Sequence, residues 1–286
     1  MTDPQKTPAS SPATATSTAT SAGRTGTSRP LALVTGASSG IGTELARQFA
    51  AGGFDLVVNA EDEAIQAAAE QLRMSGASVE AVQADLRSRE GVEQLWAAVQ
   101  RLGRPLDAAA LNAGVGLGKA FVDQDLDDVF ALIDLNVRST VQLAHLVLRD
   151  MVRRGSGRVL ITSSVASTQP GAFQAVYNAS KSFEQSFAEA LQEELKDTGV
   201  TLTSLMPGPV ETNFFPRADL MDTRVGQGPK DDPSDVAKQG YAALMNGERK
   251  VVAASLSSKA MAAVAGVLPD SVKALAHRQM AEPQDS

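Results

Sequence analysis

Apolar segments alternate with segments of helical periodicity from Leu31 to about Ala253. The first is a continuous apolar run, typical of a strand buried in a parallel sheet. After it, Ile41, Leu45 and Phe49 recur at helical spacing. The first predicted strand begins at residue 31, and the other six cover 55–59, 78–83, 106–111, 158–162, 200–206 and 250–253. The later predicted helices cover 62–75, 90–102, 125–153, 176–197 and 233–245. This alternation predicts an α/β domain over residues 30–254, a doubly wound parallel sheet in three α/β/α layers.

The two flanks differ from this domain. Residues 1–29 are rich in Ser, Thr, Ala and Pro and lack apolar periodicity, so we expect a disordered tail. They resemble an organelle transit peptide weakly and lack the apolar core of a secretory signal. Residues 255–286 predict a helical extension, in which the apolar run 260–268 is too short to cross a bilayer. The extension could pack on the core, form a subunit contact or touch a membrane surface; of these we favour packing.

Composition limits the classes of function. The 286 residues are 43% hydrophobic and carry a net charge of −7; this hydrophobic share is typical of a globular protein. We expect the protein to be cytoplasmic. The negative charge disfavours nucleic acid and anionic membranes as partners. The chain has no cysteine, which excludes disulfides and thiolate ligands, and its two histidines, His145 and His277, are far apart in sequence. We therefore expect no metal site.

A glycine-rich turn follows the first strand, with the sequence TGASSGIG at residues 35–42. A turn between a strand and a helix points backbone N–H groups and the positive end of the helix dipole at one place, which suits a pyrophosphate. Glycine is needed where a side chain would block the phosphate or where the turn requires positive φ. Taken alone, the stretch also fits an ordinary strand-to-helix turn.

A second cluster lies after the fifth predicted strand. Ser164 ends that strand, and Tyr177 and Lys181 follow at positions i and i+4 of a predicted helix, so their side chains share one face. A nearby ammonium favours the phenolate and lowers the tyrosine pKa, which makes Tyr177 a candidate general acid or base. Ser164 could hold the reacting oxygen by a hydrogen bond. An ordinary amphipathic surface pair is the alternative interpretation of Tyr177 and Lys181.

The order and spacing of these motifs resemble the short-chain dehydrogenase/reductase family. The matching features are the glycines at 36, 40 and 42, N-A-G at 112–114, N-V at 136–137, a serine thirteen residues before the tyrosine of Y-x-x-x-K, and P-G at 207–208 with a threonine at 212. The resemblance covers roughly residues 30–254. It implies a Rossmann fold and an NAD(P)-dependent oxidoreductase that interconverts an alcohol and a carbonyl.

The resemblance also implies roles for single residues. The catalytic residues would be Asn136, Ser164, Tyr177 and Lys181. Tyr177 would move the proton, while Lys181 would lower its pKa and bind the nicotinamide ribose. Ser164 would position the substrate oxygen, and Asn136 would hold a water that links Lys181 to solvent. The cofactor-binding residues would be Gly36, Ser38, Ser39, Gly40, Ile41, Gly42, Glu61, Asp85, Leu86, Asn112, Gly114, Tyr177, Lys181, Val210 and Thr212.

Two departures from the family pattern leave this set intact. Leu111 stands where the family often has asparagine, and Ser139 where it often has glycine. Neither replaces a catalytic group.

The end of the second strand bears on the choice of cofactor. Glu61 and Asp62 follow it, and a carboxylate there accepts hydrogen bonds from the adenosine ribose and repels a 2′-phosphate. The glycine-rich turn carries Ser38 and Ser39 rather than a basic residue. We therefore predict NAD over NADP. The acids could instead favour the N-terminus of the next helix, which leaves an NADP-dependent ketoreductase open.

The substrate wall is expected in the polar, glycine-bearing segment 213–230. We predict a mobile lid there, with Phe214, Phe215 and Met221 lining a pocket; a poorly packed surface loop is the alternative. Further candidates for the wall are Val115, Gly116, Val165, Ala166 and Phe173. They predict a mostly apolar alcohol or ketone, although Arg217 and Arg224 could hold an anionic group.

The family resemblance also bears on assembly. Family members usually pair through two long helices, here 125–153 and 176–197, which implies a homodimer or homotetramer. A non-catalytic dinucleotide-sensing protein of the same fold is the alternative from another class. The intact catalytic set favours the enzyme.

Overall fold

The computed structural model describes residues 1, 29–253 and 269–284. At its centre is a parallel sheet of seven strands in the order β3-β2-β1-β4-β5-β6-β7. The strands are β1 Leu31–Thr35, β2 Asp55–Ala60, β3 Val79–Gln83, β4 Ala108–Leu111, β5 Gly157–Thr162, β6 Val200–Pro207 and β7 Lys250–Ala253. The sheet confirms the predicted doubly wound topology. Residues 2–28 of the predicted tail and the apolar run 260–268 lie outside the described residues.

Helices cover both faces of the sheet because alternate residues of each strand point to opposite sides. Ala32 and Val34 of β1 join a core with α1, α2 and α9, whereas Leu31 and Leu33 join a second core with α3, α5 and α6. The helices are α1 Gly40–Ala51, α2 Ala64–Arg73, α3 Arg89–Arg101, α4 Leu126–Ile133, α5 Thr140–Arg154, α6 Ala175–Glu194, α7 Phe214–Arg217, α8 Arg224–Gln227, α9 Pro233–Asn246 and α10 Asp270–Ala281. The three predicted layers are therefore present.

The predicted helix over 125–153 is divided in the structure. A π-helical turn, Asp134–Ser139, separates α4 from α5. Such a turn carries one residue more than an α-helical turn and is common beside functional sites. Here it turns Asn136 into the protein interior, where the residue is fully buried.

The segment 213–230 is folded rather than poorly packed. It contains α7 and α8, and Phe215, Ala218 and Leu220 form an apolar cluster of their own. Gly118 N donates to Ala218 O at 2.8 Å, which ties the segment to the loop after β4. This packing favours the predicted substrate wall over the alternative of a poorly packed surface loop.

The end of the described chain packs on this segment. Gln284 N donates to Asp222 O at 3.1 Å, and Thr223 and Pro283 form an isolated bridge. Residues 269–284 thus cover the segment instead of projecting from the domain. Within the described ranges, no helix has the length and apolar character needed to span a bilayer.

Candidate active site

A cleft of about 790 Å³ opens at the carboxyl ends of the central strands. This edge is where ligands bind in doubly wound sheets, beside the point at which the strand order reverses, here between β1 and β4. Every residue predicted to bind the cofactor lines the cleft, as do Ser164, Tyr177 and Lys181. Asn136 is the one predicted catalytic residue that does not.

The glycine-rich turn forms the floor of the cleft beside α1. Gly36 and Gly40 have φ of +65° and +57°, a region that side chains disfavour. A Cβ on Gly42 would lie 2.0 Å from Gly36 O, so the turn closes on itself only with glycine there. No side chain caps the N-terminus of α1, and its first residues, 40–42, line the cleft, so the positive end of the helix faces the cleft. This cradle fits the pyrophosphate of a dinucleotide.

Thr35 at the end of β1 fixes the next turn. Its hydroxyl accepts hydrogen bonds from the backbone N–H groups of Asn112 and Ala113 at 2.9 and 3.0 Å. The Asn112 amide donates to Thr35 O at 3.2 Å and accepts from the Thr162 hydroxyl at 3.0 Å. The ends of β1, β4 and β5 are thus joined by side chains, which gives the cleft a rigid floor.

The side chain of Asn136 forms its hydrogen bonds inside the protein. Its side chain pairs with both backbone groups of Val115 at 2.9 Å and donates to the Ser180 hydroxyl at 3.0 Å. The amide N–H groups are therefore committed to the loop after β4 and to α6. A water held by Asn136, as the family resemblance implies, would therefore have to bond an atom other than these N–H groups.

Tyr177, Ser164 and Lys181 meet at the buried end of the cleft. The Lys181 ammonium donates to Thr162 O at 3.0 Å and lies 6.0 Å from the centre of the Tyr177 ring. Burial raises the pKa of Tyr177 above its ordinary value, while the Lys181 charge and a hydrogen bond with Ser164 act to lower it. The expected effect of Lys181 is present, but burial outweighs it in this structure.

Sequence reasoning missed a charged partner of Lys181. Glu184, one helical turn further along α6, places Oε2 2.8 Å from the Lys181 ammonium. The two side chains are only 2% and 6% exposed. The spacing i to i+3 was the available signal, because it puts both side chains on one face of a helix.

Charged side chains also pair at the opposite end of the cleft. The Arg87 guanidinium lies 2.6 Å from the Glu61 carboxylate and 2.9 Å from that of Asp85. Burial alone would raise the pKa of Asp85, but its hydrogen bonds with Arg87 hold it below the ordinary value. Asp62 accepts from Ser38 and from Arg217, both at 3.3 Å. Sequence reasoning identified the acids at this end but missed Arg87.

The apolar part of the cleft surrounds Tyr177. Phe214 places its ring centre 5.2 Å from that of Tyr177. The other predicted wall residues that line the cleft are Val115, Gly116, Val165, Ala166, Phe215, Arg217 and Arg224. Two predicted wall residues, Met221 and Phe173, do not line the cleft, so these predictions were wrong. Met221 is 51% exposed. Arg278 lies over the Phe173 ring, 6.0 Å from its centre.

The helix α10 supplies a wall that sequence reasoning missed. His277, Met280 and Ala281 line the cleft, and the His277 ring bonds Ala172 O at 3.0 Å through Nδ1. Burial lowers the pKa of His277, and the bond to Ala172 opposes this. The neutral ring with a proton on Nδ1 therefore fits this position. No local motif marks these residues, since their role depends on the fold.

Comparisons with known proteins agree with this geometry. The family model described as short chain dehydrogenase matches residues 30–222. An uncharacterized oxidoreductase of Bacillus subtilis is 32% identical over 187 residues, 64% of this chain and 76% of that protein. A short-chain dehydrogenase from Sphingobium yanoikuyae in complex with NADPH has a TM-score of 0.75 and 29% identity, covering 82% of this chain and 91% of that chain. A short chain dehydrogenase/reductase from Burkholderia phymatum in complex with NAD has a TM-score of 0.73 and 23% identity, covering 82% and 92%, and supports the fold.

Proposed function

Because this chain belongs to the short chain dehydrogenase family, whose members are NAD(P)-dependent oxidoreductases of alcohol and carbonyl groups, we propose that it interconverts an alcohol and a carbonyl with Tyr177 as the proton carrier. The bound nicotinamide would deliver or accept the hydride. The observation that carries the proposal is that the buried residues Tyr177, Ser164 and Lys181 lie together at the end of a cleft large enough for a dinucleotide.

The side chains have distinct tasks in this reaction. Ser164, which is hydrogen-bonded to Tyr177, directs the substrate oxygen toward the phenol. Because the pKa of Tyr177 lies above its ordinary value, the phenol keeps its proton at neutral pH and can donate it to a carbonyl oxygen. Alcohol oxidation needs the phenolate, so its rate should rise with pH. Lys181 holds the ribose side and favours the phenolate by its charge.

The test uses a panel of apolar ketones and alcohols, with nicotinamide absorbance as the readout. Wild-type protein should turn over at least one substrate. Tyr177→Phe should lose most turnover, by about 10²-fold or more, while still binding NADH in a fluorescence titration. Dinucleotide binding without turnover on any substrate would favour the non-catalytic sensor instead.

We further propose NAD as the preferred cofactor. Glu61 and Asp62 lie at the cleft edge, and Arg87 is already paired with Glu61 and Asp85. The 2′-phosphate of NADP would therefore be repelled by these carboxylates, because Arg87 is already neutralised by its acidic partners. The NADPH-bound relative supports the other choice, in which Arg87 would turn to the phosphate.

Titrations with NADH and NADPH distinguish the two cofactors. Wild-type protein should bind NADH more tightly, and Glu61→Gln should improve NADPH binding because Arg87 loses a competing carboxylate. Glu63→Gln is the matched control, since it removes the same charge from an exposed position two residues on. Tighter NADPH binding by wild-type protein, unchanged in Glu61→Gln, would overturn the proposal.

Substrate class and assembly follow from two further surfaces. The apolar wall around Phe214 and Val165 supports a mostly apolar alcohol or ketone.

The outer faces of α4 and α6 expose Leu126, Phe130 and Phe183, which supports pairing of two chains through these helices. Light scattering after gel filtration would test for the homodimer or homotetramer.

A further inference from the structure

An ion pair lies inside the proposed catalytic centre. Lys181 contacts Glu184 at 2.8 Å and Thr162 O at 3.0 Å. Both charged side chains are almost completely buried. Lys181 has a task in the proposed reaction, whereas Glu184 has none.

A buried carboxylate is costly unless it stabilises a charge nearby. Burial raises the pKa of Glu184 to about 7, although the Lys181 ammonium lowers it. In turn, burial lowers the pKa of Lys181, but Glu184 and Tyr177 raise it above the ordinary value. The pair therefore keeps an ammonium in a place that would otherwise remove its proton.

The elements that pack on α6 carry other charged residues. These charged residues are Asp127 and Asp128 of α4, Asp134 and Arg138 of the π-helical turn, and Arg158 of β5. Asp134 and Arg138 pair with each other at 3.4 Å. Arg158 lies near the start of β5, whereas Thr162 is the last residue of that strand. Within the described residues, Lys181 is the one charged group found to shift the pKa of Glu184.

We propose that Glu184 is a positioning residue, which fixes the Lys181 ammonium and offsets its charge so that the Tyr177–Lys181 couple keeps a proton for delivery to a carbonyl. This inference rests on the proposed oxidoreductase function. Its consequence is a bias toward carbonyl reduction at neutral pH.

The sign of the effect does not depend on which member of the couple loses the proton. A negative charge raises the proton affinity of both the phenol and the ammonium beside it. The structure shows this for each, because Glu184 raises the pKa of Tyr177 as well as that of Lys181. Removing the charge must lower the pH at which the couple loses its first proton.

Glu184→Gln removes this charge while keeping the size of the side chain. Glu189→Gln is the matched control, because Glu189 is on the same helix but is half-exposed and pairs with Lys250. The measurement is kcat/KM against pH for alcohol oxidation and for the reverse reduction. The rising limb of oxidation should move to lower pH by about one unit or more in Glu184→Gln, and the Glu189→Gln profile should overlay the wild-type profile. A purely structural role for Glu184 would lower both rates without moving the limb.

A second readout needs no substrate. The chain has two tyrosines, so in a Tyr241→Phe background the ultraviolet absorbance of phenolate reports Tyr177 alone. Adding Glu184→Gln should move the first titration step to lower pH. If the Glu184→Gln variant does not fold, Glu184→Met is tested by the same pH profile and the same phenolate titration, and thermal unfolding checks that it is folded.

The outcomes separate the two proposals. A wild-type protein without turnover contradicts the proposed function, while the phenolate titration still tests Glu184. Turnover in wild-type protein together with a folded, NADH-binding Glu184→Gln variant whose profile is unmoved, or moved to higher pH, overturns the role of Glu184.

Discussion

Adding one methyl group at Gly116 tests whether Phe214 closes the site over Tyr177. A Cβ on Gly116 would lie 2.3 Å from Phe214 Cζ and 2.8 Å from Cε2, whereas carbon atoms in contact prefer about 3.5–4.0 Å. The ring must therefore move by about 1 Å or more. Such overpacking typically costs about 1–3 kcal/mol, and Gly116→Ala should lower the free energy of unfolding by that amount.

The same movement should reduce activity. The Phe214 ring centre is 5.2 Å from that of Tyr177, so the displaced ring changes the wall beside the proton donor. A displacement of this size near the reacting groups can cost about 10²-fold in rate. We expect kcat/KM of Gly116→Ala to fall by about 10- to 100-fold, with NADH binding unchanged.

Phe214→Ala provides the double-mutant cycle. It removes the ring, after which the nearest remaining neighbour of the new methyl group is Ala218 Cβ at 3.1 Å. In the Phe214→Ala background, Gly116→Ala should therefore cost much less. Urea unfolding of the four proteins would measure the coupling. If the two single effects add to within about 0.5 kcal/mol, the ring does not block the methyl group and the reasoning is refuted.

Three further predictions concern stability and the cleft floor. Leu33→Ala, in the fully buried centre of β1, should lower the free energy of unfolding by about 2–5 kcal/mol, seen as a lower urea midpoint. Thr35→Val leaves the N–H groups of Asn112 and Ala113 without their acceptor; it should cost about 1–3 kcal/mol and weaken NADH binding in a fluorescence titration. His277 has a lowered native pKa, so the unfolded chain binds its proton first and stability is lost as pH falls below about 6.5. The melting temperature should therefore drop more between pH 7 and pH 5 in wild-type protein than in His277→Gln, and equal drops would contradict the assignment.

The sheet and much of the site could be predicted from sequence because their signals are local. The predicted strands agree with the observed ones to within two residues at each end, since each is a short apolar run between turn residues. Tyr177 and Lys181 share a face by helical spacing alone, and Ser164 ends a strand that the pattern identifies. Parallel pairing then brings these ends to one edge of the sheet.

The remaining features depend on contacts between distant residues or on small energy differences. The π-helical turn at 134–139 has no distinct composition, because the same side chains fit an α-helix. The pairing of Arg87 with Glu61 spans 26 positions and depends on the register of β2 and β3. The wall from α10 requires the end of the chain to fold back on the 213–230 segment, which no local pattern indicates.

The strand order has a consequence for how the cleft can form during synthesis. β1, β2 and β3 are neighbours in sequence and in the sheet, so two consecutive crossovers connect the elements of the proposed adenosine end, through Leu86, and this end is synthesised first. β4 must then return to pair with β1, and β6 and α6 must follow before Tyr177 and Thr212 reach the cleft. The glycine-rich turn, Glu61 and Asp85 therefore come from the half of the sheet that is synthesised first, and Tyr177 and Thr212 come from the half that is synthesised second.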